Sequence, residues 1–133
     1  MEYHAAGAFD VKVTPQAADS HADAVTLGRM TIDKQFHGDL EASSKGQMLT
    51  GMGSVKGSAG YVAIEQVTGT LQGRAGTFIL QHTGVMDRGA SRLAIAVVPD
   101  SGTGQLEGLA GTMTIDIADG KHVYTFTYTV RPL

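Results

Sequence analysis

The sequence predicts an all-β domain, an eight-stranded antiparallel closed β-barrel, with a two-sheet β-sandwich as the alternative arrangement. Three observations predict it. Alternating apolar and polar residues recur along the chain, and no stretch keeps a helical period. Glycine supplies 18 of 133 residues, against a usual share of ~7 %, so many tight turns separate the strands. A phrase built for a bend then occurs twice, T-G-T-L-Q-G-R-A-G-T at 68–77 and T-G-Q-L-E-G-L-A-G-T at 103–112. In each copy a glycine (Gly73, Gly108) follows a leucine (Leu71, Leu106) by two residues, where a tight turn between strands needs positive φ. Gly38 to Ala42 is a weaker echo. Strands of this number close on themselves because closure removes both open edges.

Taken in order, Tyr3 to Val13 alternates, with Tyr3, Ala5, Phe9, Val11 and Val13 on the apolar face, and Pro15 ends the strand. Gln16 to Asp23 is a polar, Ala-rich connection, a loop or a short helical turn. Val25 to Phe36 follows, with Met30, Ile32 and Phe36 on one face. Lys34 falls on that face too, and its stem is expected over the core edge with the ammonium in water. His37-Gly38 turns the chain into a less regular strand, Asp39 to Leu49. Gly51, Gly53, Gly57 and Gly60 mark a flexible loop. Tyr61 to Leu71 and Ala75 to Met86 form a hairpin whose tip lies near Gln72-Gly73-Arg74, and Asp87-Arg88-Gly89 is the next turn. Ser91 to Val98 is nearly continuous apolar, so cover on both faces is expected. Pro99 to Gly102 turns the chain toward a bend at Glu107-Gly108 and a strand from Ala110 to Ile117. Asp119-Gly120 is the strongest hairpin signal, and Lys121 to Val130 closes the chain with His122, Tyr124, Phe126, Tyr128 and Val130 on one side.

Composition narrows the function. A formal charge of −3 offers no electrostatic footprint for nucleic acid or an anionic membrane. Without cysteine there is no disulfide frame, thiolate nucleophile or Cys-based zinc site. No apolar run approaches the ~20 residues of a membrane helix, and the N-terminus lacks signal-peptide character, so a soluble cytoplasmic protein is expected. Gly69-x-x-x-Gly73 leads into a strand rather than a helix, so it is no phosphate loop. No cofactor is called for.

The phrases G-Y-V-A (60–63), G-T-L-Q-G-R-A-G-T-F (69–78), Q-H-T-G (81–84) and S-G-T-G-Q-L-E-G-L-A-G-T (101–112) resemble a bacterial family of small single-domain proteins of uncharacterised function. That family is similar in fold to the allene oxide cyclase and dirigent barrels. The resemblance covers nearly the whole chain. It implies a closed antiparallel barrel and self-association into a homo-oligomer, and it carries over no activity.

Glu65 and His82 are the candidate site. A four-residue tip (Gln72 to Ala75) sets them directly opposite each other, on a face shared with Tyr61, Val67, Phe78 and Leu80. A three-residue tip sets them on opposite faces. A carboxylate and an imidazole within an apolar barrel orient a base or hold a polar group of a ligand. Tyr61, and Arg88 at a barrel mouth, complete the candidate ligand-binding set. His37, Asp39 and Glu41 offer metal-ligand types, but their place at a turn reads as an ordinary polar hairpin end. The aromatic stripe Tyr124, Phe126, Tyr128 reads as core or subunit interface. The expected function is binding of a small apolar or aromatic molecule, and the high glycine content favours a cavity because small residues fill less space. The rival reading is an interaction module with a side-chain-filled barrel, and cyclase- or isomerase-like catalysis rests on fold analogy alone.

Overall fold

The computed structural model describes residues 1–16 and 26–133. Its strands are β1 (Tyr3–Gln16), β2 (Thr26–Gly38), β3 (Leu40–Met52), β4 (Ala59–Leu71), β5 (Arg74–Asp87), β6 (Ala90–Val97), β7 (Ala110–Ala118) and β8 (Lys121–Thr129). Each pairs antiparallel with its sequence neighbours, and β1 pairs with β8, so the sheet closes as an up-and-down barrel. The sandwich alternative falls. The 17–25 stretch, which holds most of the predicted polar connection and Val25, lies outside the described residues.

Strand direction alternates, so the β2–β3, β4–β5 and β6–β7 connections gather at one end with the start of β1. The β3–β4, β5–β6 and β7–β8 connections gather at the other. Three turns have two residues, Gln72-Gly73, Arg88-Gly89 and Asp119-Gly120, and all six φ angles are positive, between 45° and 93°. That is the type I′ geometry whose twist matches the flanking strands.

The first end is solid. Leu40, Leu71 and Leu106, the leucines of the repeat and its echo, are 0–1 % exposed and share one core cluster with Phe36, Phe78 and Phe126. Tyr124 sits among them. Its hydroxyl accepts the Leu40 amide (2.9 Å) and donates to the His37 carbonyl (2.9 Å), tying down the β2–β3 connection. The two repeat copies differ in shape. The first is the β4–β5 turn. The second is a crossover containing a 3-10 turn, Gly104–Leu106, which lies along the first copy through Thr103–Thr77 and Gln105–Ala75 bonds.

Four expectations change. Pro15 stays within β1, paired with Met30, because β1–β8 pairing stops at Phe9↔His122 and beyond it β1 is an edge, where a missing N–H is tolerated. Gly51 and Gly60 lie in strands, which leaves Gly53–Ser58 as the loop. β6 is not covered on both faces, since only Ile95 and Val97 are buried. Part of the glycine surplus serves curvature rather than a cavity. At Gly46, Gly69 and Gly111 a neighbouring strand's carbonyl (Ile64, Glu41, Thr127) presses so close that no Cβ fits, as a bent barrel wall requires.

The closure is uneven. Among the described residues β6 pairs with β7 only at Ile95↔Met113 and Ala96↔Thr112. Toward the second end the two strands part, and Ile117, inward by register, is 70 % exposed. This end is open.

Candidate functional site

The two-residue β4–β5 turn sets Glu65 opposite Leu80 and His82 opposite Ala63. Glu65 and His82 are therefore diagonal neighbours on one inward face, not directly opposite as a four-residue tip would have them. They still meet, with Nε2 of His82 2.7 Å from Oε1 of Glu65. The same oxygen accepts from Nζ of Lys34 at 3.0 Å, and Oε2 accepts from Oγ of Ser44 at 2.6 Å. Lys34, Ser44, Glu65 and His82 come one each from β2, β3, β4 and β5, forming a polar stripe across the barrel wall.

Lys34 overturns its expectation. Its ammonium does not reach water, for the residue is 8 % exposed and Nζ lies 4.8 Å from the Phe9 ring centroid and 5.6 Å from that of Phe36. A buried ammonium needs a counter-charge, and Glu65, at 0 % exposure, supplies it. Burial alone drives the Glu65 carboxyl upward. The His82 hydrogen bond, the Lys34 charge and the Ser44 hydroxyl outweigh it and hold the pKa at about 2. An ionised carboxylate only accepts, so Nε2 of His82 carries the proton toward it. With Lys34 and Glu65 cancelling each other's charge, the stripe is neutral when His82 is the neutral Nε2–H tautomer.

Above the stripe, toward the open end, lies a cavity of about 250 Å³ whose lining includes Thr50, Met52, Tyr61, Gly84, Met86, Leu93 and, at its margin, Arg92. Tyr61 forms its base. The ring lies flat over Gly84, where a Cβ would penetrate it. Burial, and then the negative charge of Glu65, push the Tyr61 hydroxyl pKa upward, so it stays protonated as a donor. Glu65 and His82 thus stand behind Tyr61 rather than in the cavity lining. Arg88 does not line it either. It occupies the β5–β6 turn, exposed, and its amide donates to Oγ of Ser58 at 3.1 Å.

His37, Asp39 and Glu41 form no common site. His37 faces Asp10 at 3.3 Å and Glu41 at 3.7 Å, all exposed, while Asp39 and Glu41 accept the amides of Ala6 and Gly38. Sequence reading missed Lys34 and Ser44 as members of the stripe. The signal for Lys34 was its inward position among Met30, Ile32 and Phe36. No helix among the described residues is long and apolar enough to cross a membrane.

The fold and the site define a closed eight-stranded antiparallel barrel with a braced polar stripe beneath a small, largely apolar cavity. The profile of a family described as "protein of unknown function (DUF3224)" matches residues 5–128, and the chain belongs to that family. It is similar over its full length to a crystal structure of a DUF3224 protein of unknown function from Shewanella oneidensis MR-1, at 53 % identity, TM-score 0.95 and 100 % coverage of both chains. No curated protein matches the chain.

Proposed function

We propose that the protein binds a small, uncharged apolar or aromatic molecule in the open half of the barrel, with the Tyr61 hydroxyl as its polar contact. The observation that carries this is the cavity of about 250 Å³. It falls just below the ~300–1,000 Å³ range of ligand sites, a fit for one ring or a short chain. Its walls are mostly aliphatic and thioether groups, and methionine adapts readily to varied apolar shapes. Among the described residues the buried charges, Lys34 and Glu65, already satisfy each other, and the one charged residue in the cavity lining, Arg92, is exposed on β6. In this reading Glu65 and His82 position Tyr61 and do not touch the ligand. Cyclase chemistry in the manner of the allene oxide cyclases would rest on a resemblance alone, and no such step is derived.

Calorimetric titration with single-ring uncharged aromatics such as phenol tests the reading. Saturable binding of one molecule per chain is expected, with the compounds competing for one site. Gly84→Ala, which drives the Tyr61 ring into the cavity, should weaken it at least tenfold, whereas outward Gln81→Ala leaves it unchanged. Absence of saturable binding, or equal affinity in a folded Gly84→Ala variant, sinks the proposal.

A further inference from the structure

The outer wall of β3 to β6 carries a feature that the cavity does not use. From Gly60 to Thr70 on β4 and from Ala75 to Val85 on β5, no outward residue is charged. Solvent-facing strands normally alternate core residues with charged and polar ones, and depletion of charge marks the centre of a protein interface. The centre of this face is aliphatic. Leu27, Leu49, Val62, Ile64 and Val85 are each 40–56 % exposed, and the register lays them side by side. Leu49 pairs with Val62, while Gly51 and Gly60 leave a shallow trough between Leu27 and Val85. Together these side chains expose on the order of a few hundred Å² of apolar surface, the size at which a patch marks an interaction site. On β6, Ala94 and Ala96 continue the face, paired with Thr83 and Gln81. The apolar run that the sequence expects to be covered on both sides therefore lies bare at the edge of the same face.

We infer that this face joins two copies of the chain in an isologous, two-fold dimer by sheet-on-sheet packing. The choice of partner rests on charge. The uncharged β4–β5 centre of the face gains nothing from an acidic or basic partner and must meet a surface that is itself neutral and aliphatic. A second copy supplies that surface by symmetry. Charged side chains border it directly, with Arg29 paired to Leu49 and Lys45 paired to Gln66 on the β2–β3 side, and Arg92 paired to Val85 on β6. This is the apolar centre and polar rim of a standard interface. With the Thr, Gln and Ala residues between the aliphatics, the face extends toward the ~800 Å² per partner that a stable dimer buries. The glycine trough receives the aliphatic ridge of the opposite copy.

Light scattering on the full chain tests this. The expected mass is twice 13.9 kDa, falling to the monomer on dilution. Val62→Lys with Ile64→Lys should give a monomer with an unchanged circular dichroism spectrum, since both positions face outward. Lys12→Gln, on the far wall, should leave the dimer intact. The absence of cysteine permits a second reading that does not depend on the lysine variants. The thiol of Ile64→Cys should lose maleimide reactivity as protein concentration rises, while that of Lys12→Cys keeps it. A wild type that is monomeric at every concentration overturns the inference. So does a dimer that survives the double lysine variant, or a thiol at position 64 that reacts equally at all concentrations.

Discussion

A carboxylate taken fully out of water stays ionised only while its partners hold it, and Glu65 has three. Removing its charge in Glu65→Gln leaves the Lys34 ammonium buried against Phe9 and Phe36, a loss of about 3–5 kcal/mol for a broken buried pair. Adding Lys34→Met removes the stranded charge, so the double variant should recover more than half of that loss in urea unfolding. Additive losses would mean that the two groups do not depend on each other. The pH dependence has a definite sign. The folded-state pKa of about 2 lies below the ordinary 4.5, so the contribution is complete above pH 4.5 and is lost as pH falls toward 2. It amounts to about 3 kcal/mol, or roughly 10 °C in Tm. Glu65→Gln should flatten this acid limb, and an unaltered limb would assign acid unfolding to other groups. Period-two reading grouped Glu65 and His82 with Tyr61, Val67, Phe78 and Leu80 correctly. A two-residue tip and a four-residue tip both preserve inward parity, so the face survived an error of two in register. Lys34 was visible as an inward residue. Its counter-ion lies 31 residues away on a strand two over, and no local pattern reports that.

At the scale of the strands, two glycines of the same type carry different burdens. Gly73 holds φ at +88° with open space around it, so Gly73→Ala costs only the left-handed conformation, about 1–2 kcal/mol. Gly46 lies against the Ile64 carbonyl and the Cα and Cβ of Glu65. Gly46→Ala therefore forces β4 away and displaces the carboxylate from Ser44 and Lys34. That adds overpacking of about 1–3 kcal/mol to the loss at the polar stripe. Urea midpoints should rank wild type above Gly73→Ala and Gly73→Ala well above Gly46→Ala. The reverse order would deny that the close approach of β3 and β4 sets the stripe. The turn glycines were legible because positive φ is a local demand written in Asp-Gly and its relatives. The wall glycines were not, because the crowding carbonyl belongs to another strand. β6 failed for a related reason. A continuous apolar run says that both faces avoid water and leaves open whether the same chain or a neighbouring molecule covers them.

The whole barrel divides into a solid half and a hollow half, and the division should show in its motions. Leucines and aromatic rings fill the end where the repeat copies meet. At the other end, among the described residues, β7 from Thr114 to Ala118 pairs with β8 alone, and its inward Ile117 is largely exposed. Opening that part of the hairpin exposes little further apolar surface, whereas opening β4 or β5 breaks two ladders and the polar stripe. Amides of β7 and β8 between Thr114 and Lys121 should therefore exchange by local opening, at free energies well below those of Ala63 to Val67 and Phe78 to His82, which exchange only on global unfolding. A ligand in the cavity links the halves. It binds only the folded barrel, so at about 100 times Kd it adds roughly 2.7 kcal/mol to global stability. Protection of the β4–β5 amides must rise by that amount. Protection at Thr114 to Lys121 rises only if parting of β6 and β7 also empties the cavity. Equal gains at both sets would identify the parted β6–β7 seam as the ligand's entrance. A gain confined to β4 and β5 would place the entrance on the open rim away from the β6–β7 seam.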